Sequence, residues 1–534
     1  MHEADAERRR WWALAALSLA MLAVGLDGTV LSVALPRLAG DLRADAADLQ
    51  WFSASYLLFL AASMLPAGLL GDRFGHKKVL LGALLLFAAA SAACAYARTP
   101  AQFITARCVL GVGGAGIIVM ALSALTVLFD VAERPRAVGV WSAANFLALP
   151  LGPLLGGWML THLWWGWVFL INVPIVLLAV AVVVVLVPEA AARRRRRLDL
   201  VGVLLSTGGL VGVTFGLIEA GEYGWAAVGT WAPIGGGLIV LAAFGRYEHL
   251  LGARPGGQPL LDPGVFRSAP YTWGVLLIGI AVFANIGVLF TMPQYFQAVR
   301  GTDAMGSGVR LLPIIGGLVL GAVPADRVAR RLGAKFAVAL GFAVMAGGLL
   351  LGGATGVGSS GWFVALWMGL GGAGMGLAMA TSTAAALAEV AAERSGVEAA
   401  VLQAVNKVGA PLGSAILGSV LLTGYRDRLP GPAVLPELPT LPELSGADRH
   451  AVRSGVFGGT EVAERLHSAS MSAAVRASFV HGMDLALLLS GGIALLGLVL
   501  ALVFMPSGPV RTAGPAAEPV GHSRPSRGRD RYVG

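Results

Sequence analysis

Apolar runs of about twenty residues, separated by short charged or glycine-rich breaks, recur along this chain from one end to the other. Wound as a helix rising about 1.5 Å per residue, such a run spans the hydrocarbon core of a bilayer, roughly 30 Å thick. Fourteen are readable, near 11–35, 49–70, 79–97, 102–128, 138–160, 167–188, 199–219, 230–246, 271–292, 306–324, 335–356, 362–388, 398–422 and 479–505. In lipid each backbone polar group must be satisfied within its own segment, so runs of this length can only be helices. Composition agrees: 56% of residues are apolar, 13% are charged and the mean hydropathy is +0.75. An ordinary soluble domain carries about 25% charged residues, so that class is excluded.

The net charge of +9 would suit a nucleic-acid binder. Here the positive residues lie in loops between runs, where they set topology, and no nucleic-acid partner is expected. About 26 of the 39 Lys and Arg fall in segments that fourteen spans with both termini cytoplasmic would put inside, against about ten outside. The first run is too long for a cleavable signal peptide and lacks a cleavage site. Cys94 and Cys108 both sit in apolar runs, so no disulfide framework is indicated. No His/Cys/carboxylate cluster suggests a metal.

Three breaks divide the chain. A cytoplasmic head, 1–10, precedes a six-helix half at 11–188. A basic cytoplasmic loop at 189–198, with Arg193 to Arg197, is a topology determinant that meets anionic lipid. Two extra helices follow at 199–246, then a Pro/Gly-rich cytoplasmic loop at 247–270. A second six-helix half occupies 271–505 and contains a long external segment at 423–478. That segment is proline-rich at first, between Pro430 and Pro442, and of helical composition from about Ser445. It is either a cap on the external mouth or a passive connector. The tail, 506–534, has the composition of a disordered segment. The loop Asp326–Lys335 (DRVARRLGAK) is a looser copy of Gly68–Leu81 (GLLGDRFGHKKVLL), as an internal repeat of six-helix halves requires.

A few residues break the apolar pattern in ways that carry chemistry. Asp27 lies deep in the first run, where a charge is costly and lines a water-filled path or marks proton exchange. Its plainer alternative is a structural carboxylate bonded to a neighbouring Ser or Thr. Arg107 lies in the fourth run and stays protonated, so it can tune a carboxylate but cannot shuttle a proton. Counted along the helices, Asp27 and Arg107 lie at similar depths, roughly 8–10 Å below the outer surface, so the two can meet. A fixed structural ion pair is the alternative role. In the second and third runs' connection, Gly71 and Gly75 permit a tight turn, and Asp72 sits at the membrane edge beside Arg73, Lys77 and Lys78. Pro150 and Pro153 bend the fifth run, and Gly152, Gly156 and Gly157 give it a smooth face for close packing. Gln294, Tyr295, Gln297, Gln403 and Lys407 are candidates for the substrate path, with interfacial or structural roles equally open. No Walker-type phosphate loop occurs, so ATP is not the energy source and no cofactor is expected.

These motifs together resemble the major facilitator superfamily, and in it the fourteen-helix drug:proton antiporters, over about residues 11–505. The order Gly68, Leu69, Asp72, Arg73, Gly75, Lys77, Lys78 resembles the superfamily's signature loop, which would set the inner gate, with Asp72 docking near Gly396 in the other half. LDGTVLSVALP around Asp27 resembles the antiporters' first helix, and ARCVLGVGGAG around Arg107 the fourth-helix motif of proton-coupled members. ALPLGPLLGGW, Ala148 to Trp158, resembles the antiporter motif, with Ala148 where Gly is commoner; Gly152, Pro153, Gly156 and Gly157 would shape its hinge. WWGWVFLINVPI, with Phe169, Asn172 and Pro174, resembles the start of the sixth helix, although Gly166 replaces an Arg.

The resemblance implies an all-α polytopic membrane protein: a major facilitator fold with two six-helix halves plus two extra central helices. It implies a monomer in the bacterial cytoplasmic membrane, with lipid around it, that exports amphipathic small molecules in exchange for protons and is not an enzyme. Some relatives that export dications carry extra carboxylates in helices ten and thirteen. None is visible in the corresponding spans here, which favours neutral or singly charged cargo. Export of a native metabolite, amino acid or lipid is the alternative on the same fold. A non-transporting sensor is the other, disfavoured by Asp27 and Arg107, since a scaffold has no use for buried charge.

Overall fold

The computed structural model describes residues 2–129, 133–187, 199–254, 268–387, 395–429 and 444–506, and among them the chain is helical with no strand. The first half holds α1 (His2–Asp41), α2 (Ala46–Phe74), α3 (His76–Ala95), α4 (Pro100–Leu128), α5 (Arg134–His162), α6 (Trp167–Leu170) and α7 (Asn172–Leu186). The pair α8 (Leu200–Tyr223) and α9 (Val228–Ala253) follows. The second half holds α10 (Ala269–Gln294), α11 (Ala304–Arg310), α12 (Leu312–Ala322), α13 (Ala325–Leu332), α14 (Ala334–Gly352), α15 (Gly361–Leu387) and α16 (Ser395–Arg428). Two short helices, α17 (Gly446–Ser454) and α18 (Val456–Arg465), then precede α19 (Ala469–Phe504). The Arg193–Arg197 run, the proline-rich stretch and the tail lie outside the described residues.

Eleven helical segments among the described residues are long and apolar enough to cross a membrane. Three more long helices, α2, α5 and α16, stand where the second, fifth and thirteenth spans were expected, so the architecture is consistent with fourteen. Two expected spans are not single helices. The tenth breaks at Leu311 into α11 and α12, just before Pro313, and the sixth breaks at Ile171 between α6 and α7. The external segment is helical from Gly446, and α19 begins ten residues before the expected span.

Helix starts are specified locally. Asp45 and Asp48 form a reciprocal capping box at the start of α2, and Thr99 caps α4 with Pro100 in its first turn. The repeat is visible in the backbone. Gly75, between α2 and α3, has φ +95° and ψ 133°; Gly333, between α13 and α14, has φ +84° and ψ 156°. Both lie in a region that only glycine enters without strain, so each half joins its helix pair through one equivalent glycine.

Burial divides the molecule the same way. One apolar core joins α1 to α7, and a second joins α10 to α19. A small third core, with Ala54, Val213, Leu217, Ile234 and Ala415, lays α8 and α9 across the seam where α2 meets α16. The Ser419 hydroxyl donates to the Leu217 carbonyl there.

The halves also meet at the end that carries the α1–α2 turn. Gln297 Nε2, on a π-helical turn at Tyr295–Val299, donates to the Val33 carbonyl at 3.2 Å. Gly308 of α11 lies against the Pro153 carbonyl of α5, and Gly157 against the Ala304–Met305 backbone, both too close for a Cβ. The α17–α18 hairpin covers this end. Tyr425 Oη donates to the Val452 carbonyl at 2.7 Å, and Arg426 Nε to the Arg453 carbonyl at 2.9 Å.

Candidate functional site: a buried ion pair beside a central cavity

Asp27 projects from α1, Arg107 from α4, and they meet. Arg107 Nη1 donates to Asp27 Oδ2 at 2.5 Å, with both side chains essentially inaccessible. The guanidinium is fixed on two further sides. Its Nε donates to the Phe52 carbonyl of α2 at 3.2 Å, and its carbon sits 4.4 Å from the Tyr56 ring centre. The Tyr56 hydroxyl in turn donates to the Val24 carbonyl of α1 at 3.1 Å. Asp27 Oδ1 is buried with no hydrogen-bond partner. The carboxylate is therefore held by one oxygen and has an open acceptor on the other. A neighbouring Ser or Thr does not hold it: Thr29 Oγ1 instead bonds the carbonyls of Gly25, Leu26 and Ala148.

Sequence explains why α2 and α4 come so close. Gly111 lies against the Tyr56 carbonyl and the Leu60 backbone, and Gly113 against the Phe87 backbone of α3; a Cβ at either would collide. An aromatic train supports the pair from one side. Phe52, Phe103 and Phe169 have centroids 4.5 Å and 5.4 Å apart in succession, and Trp165 flanks Phe103 at 6.5 Å. Asn172 donates to the Ser91 hydroxyl, which donates to the Phe169 carbonyl, tying this segment to α3. Gly166 leaves room for the Trp164 ring, which any side chain there would strike.

Arg107 also lines a central cavity of about 140 Å³ between the halves. Drug-sized pockets run to about 300–1,000 Å³, so this cavity is smaller than one that holds such a ligand. Thr29, Ser32, Ser53 and Pro153 face it from the first half, and Asn285, Met375 and Ser414 from the second. Apolar side chains, Leu35, Leu289, Phe290 and Ile314 among them, complete the wall. A second cavity of about 380 Å³ lies under the hairpin, lined by Asp45, Gln50, Gln294, His450 and Glu461. Phe290 borders both cavities.

The glycine-proline stretch of α5 meets two helices. Gly152 lies against Thr29 and Gly156 against Val30, both of α1, while Pro153 and Gly157 face α11. In the α2–α3 loop, Gly68 faces Val119 at an ordinary distance, Gly71 abuts Met120, and Lys77 Nζ donates to the Val184 carbonyl of α7 at 2.8 Å. Arg73 stands 5.3 Å from the Phe74 ring centre. The Asp72 side chain lies outside the described residues, and with it any contact near Gly396. So do the side chains of Gln403 and Lys407.

The remaining path candidates are not on the central cavity. Gln294 lines the second cavity and donates to the Phe290 carbonyl at 3.0 Å. Tyr295 Oη donates to the Gly356 carbonyl at 3.0 Å, and Gln297 ties the halves. Two polar residues escaped the sequence reading. Asn285, 3% exposed in mid-α10, donates its amide to Met375 Sδ at 2.8 Å and leaves Oδ1 unpaired. Asp484, in α19, has a buried and unpaired Oδ1. Both carry the signal that singled out Asp27, a polar group inside an apolar run.

Two helical halves around a cavity flanked by buried charge define a multi-pass membrane transporter. The match to the Major Facilitator Superfamily covers residues 17–414, so the chain belongs to that family. It is 33% identical to the tetracenomycin C resistance and export protein of Streptomyces glaucescens, over 97% of this chain and 96% of that protein. It is 30% identical to the multidrug efflux pump LfrA of Mycolicibacterium smegmatis, over 89% of this chain and 92% of the pump. Among solved structures, a bacterial homolog of the human lysosomal transporter Spinster superposes with a TM-score of 0.63. It covers 93% of this chain and 97% of that one at 14% identity, a likeness of fold.

Proposed function

We propose that the protein exports amphipathic small molecules across the bacterial cytoplasmic membrane in exchange for protons. The observation that carries this reading is the Asp27–Arg107 pair, buried at 2.5 Å with one carboxylate oxygen unpaired, in which Arg107 lines the central cavity and Asp27 stands behind it. Similarity to an export protein and an efflux pump along nearly the whole chain supports the direction.

In this reading the positive-inside bias sets both termini in the cytoplasm. The α1–α2 turn and the α17–α18 hairpin then face outward, and the outer end is closed. Cargo enters the cavity from the cytoplasm while Asp27 is ionised and paired. After the halves rock to open the outer end, a proton taken up at Asp27 Oδ1 loosens the pair and the cargo leaves. The proton is released to the cytoplasm when the halves return. Arg107 keeps its own proton throughout and tunes Asp27 by approach and withdrawal. Gly152, Pro153, Gly156 and Gly157 form the outer hinge, and Gly68, Asp72, Arg73, Gly75, Lys77 and Lys78 the inner gate.

Efflux of preloaded Nile red from energised cells tests the reading. Parent protein should speed dye loss over empty cells, a protonophore should abolish the gain, and Asp27→Asn at equal membrane abundance should lose it. Protonophore-insensitive efflux would contradict proton coupling. No gain with this dye or any of a panel of amphipaths would point to one native cargo.

A further inference from the structure

The charge on the cavity wall is one-sided. Among its described lining residues Arg107 is the one charged side chain, and Asp27 stands behind it, fully buried and off the wall. A cation entering this space meets an apolar surface, a guanidinium and no carboxylate. Burying an unpaired charge there is costly, and no carboxylate on the wall neutralises it.

Asn285 supplies a second observation, on the opposite wall. The Met375 sulfur has no hydrogen and can only accept, so the Asn285 amide nitrogen faces it and Oδ1 is the atom left without a partner. Oδ1 is closed off from the cavity in this arrangement, and a buried acceptor left unpaired costs free energy that a guest's donor recovers when the wall shifts to admit it. We propose that the central cavity selects neutral amphipaths bearing a hydroxyl or phenol that donates to Asn285 Oδ1, and turns permanent cations away. The proposal rests on the export reading of the same site and narrows its cargo.

Exchange with protons gives the same class. While Asp27 is ionised, the pair is neutral and the cavity suits an uncharged apolar guest. Once Asp27 is protonated, Arg107 stands unbalanced on the wall and draws in water. A neutral apolar guest is displaced by that water, whereas an anionic guest would be held more tightly and not exchanged.

Three dyes of nearly one shape separate the outcomes: neutral Nile red, neutral 2-hydroxy-Nile red and cationic Nile blue. Binding to the purified full chain is followed by dye fluorescence with no pH gradient. The hydroxylated dye should bind about tenfold tighter than Nile red, the worth of one recovered hydrogen bond. Nile blue should bind at least about tenfold weaker than Nile red, since its charge goes unpaired. Asn285→Leu should bring the two neutral dyes together, and Asn285→Asp should admit Nile blue. Nile blue binding as tightly as Nile red, or no binding by any of the three, would overturn the class. Equal binding of the neutral dyes by the parent would remove Asn285 from it. A chain that binds in the expected order but moves none of the dyes under a pH gradient would keep the selectivity and lose the export reading.

Discussion

Replacing Asp27 by Asn removes one member of a desolvated ion pair and keeps its shape. Neither side chain is more than 1% accessible, and Nη1 to Oδ2 is 2.5 Å. Stranding one charge of such a pair costs about 3–5 kcal/mol. Arg107 keeps the Phe52 carbonyl and the Tyr56 ring, and it borders a cavity that can admit water, so the lower end, about 3 kcal/mol, is expected. Tryptophan-monitored thermal unfolding of the purified protein in mild detergent would register it as a lowered midpoint. The double variant Asp27→Asn with Arg107→Gln strands no charge and should recover most of the midpoint. It should recover no proton-coupled transport, because neither residue then exchanges a proton. A single variant as stable as the parent would refute the claim that the pair is desolvated, and transport in the double variant would refute its role.

Gly152→Val drives a branched side chain into Thr29 and the Val30 backbone, so α1 and α5 must separate; transport should fall at least about tenfold while membrane abundance drops less, as an overpacked contact costing ~1–3 kcal/mol implies. Cysteines replacing Val33 and Gln297 should cross-link where the halves touch, block transport and release it on reduction; cross-linking without effect on transport would mean that this contact does not open. In the hairpin, the Ser445 hydroxyl and then Arg465 hold the Asp448 carboxyl below the usual carboxylate range. A depressed value stabilises the hairpin above the carboxyl's unfolded pKa of about 4 and less as pH falls below it. Amide exchange over 446–465, corrected for its intrinsic pH dependence, should therefore show less protection below about pH 4, and Asp448→Asn should remove that dependence.

What the sequence conveyed, and what it withheld, follow from the solvent. Runs of apolar residues mark helices in lipid unambiguously, and the two half-repeats survive as matching loops whose glycines, Gly75 and Gly333, take the same special backbone. The Asp27–Arg107 approach was readable because depth along a helix is simple counting. Rotation about the helix axis was not readable. Lipid and protein interior are both apolar, so a membrane helix carries no polar face to orient it. Gln294, Tyr295 and Gln297 are near neighbours in sequence, yet they face a second cavity, a loop carbonyl and the opposite half. Asn285 was hidden for the same reason, its position in mid-span giving no hint of which neighbour it meets. The break between α11 and α12 has a local cause, since Pro313 lacks the backbone N–H that would continue the helix, whereas the seating of Gly308 under Pro153 is a contact between halves that no local pattern encodes.

Proton movement during transport tests the central claim most directly. Purified protein would be placed in liposomes containing a pH-sensitive dye, and Nile red added to one side with no initial pH difference. The account requires protons to move against the cargo, at a rate set by Nile red and absent with Asp27→Asn. Cargo crossing with no proton flux, or undiminished flux in the Asp27→Asn protein, would contradict it.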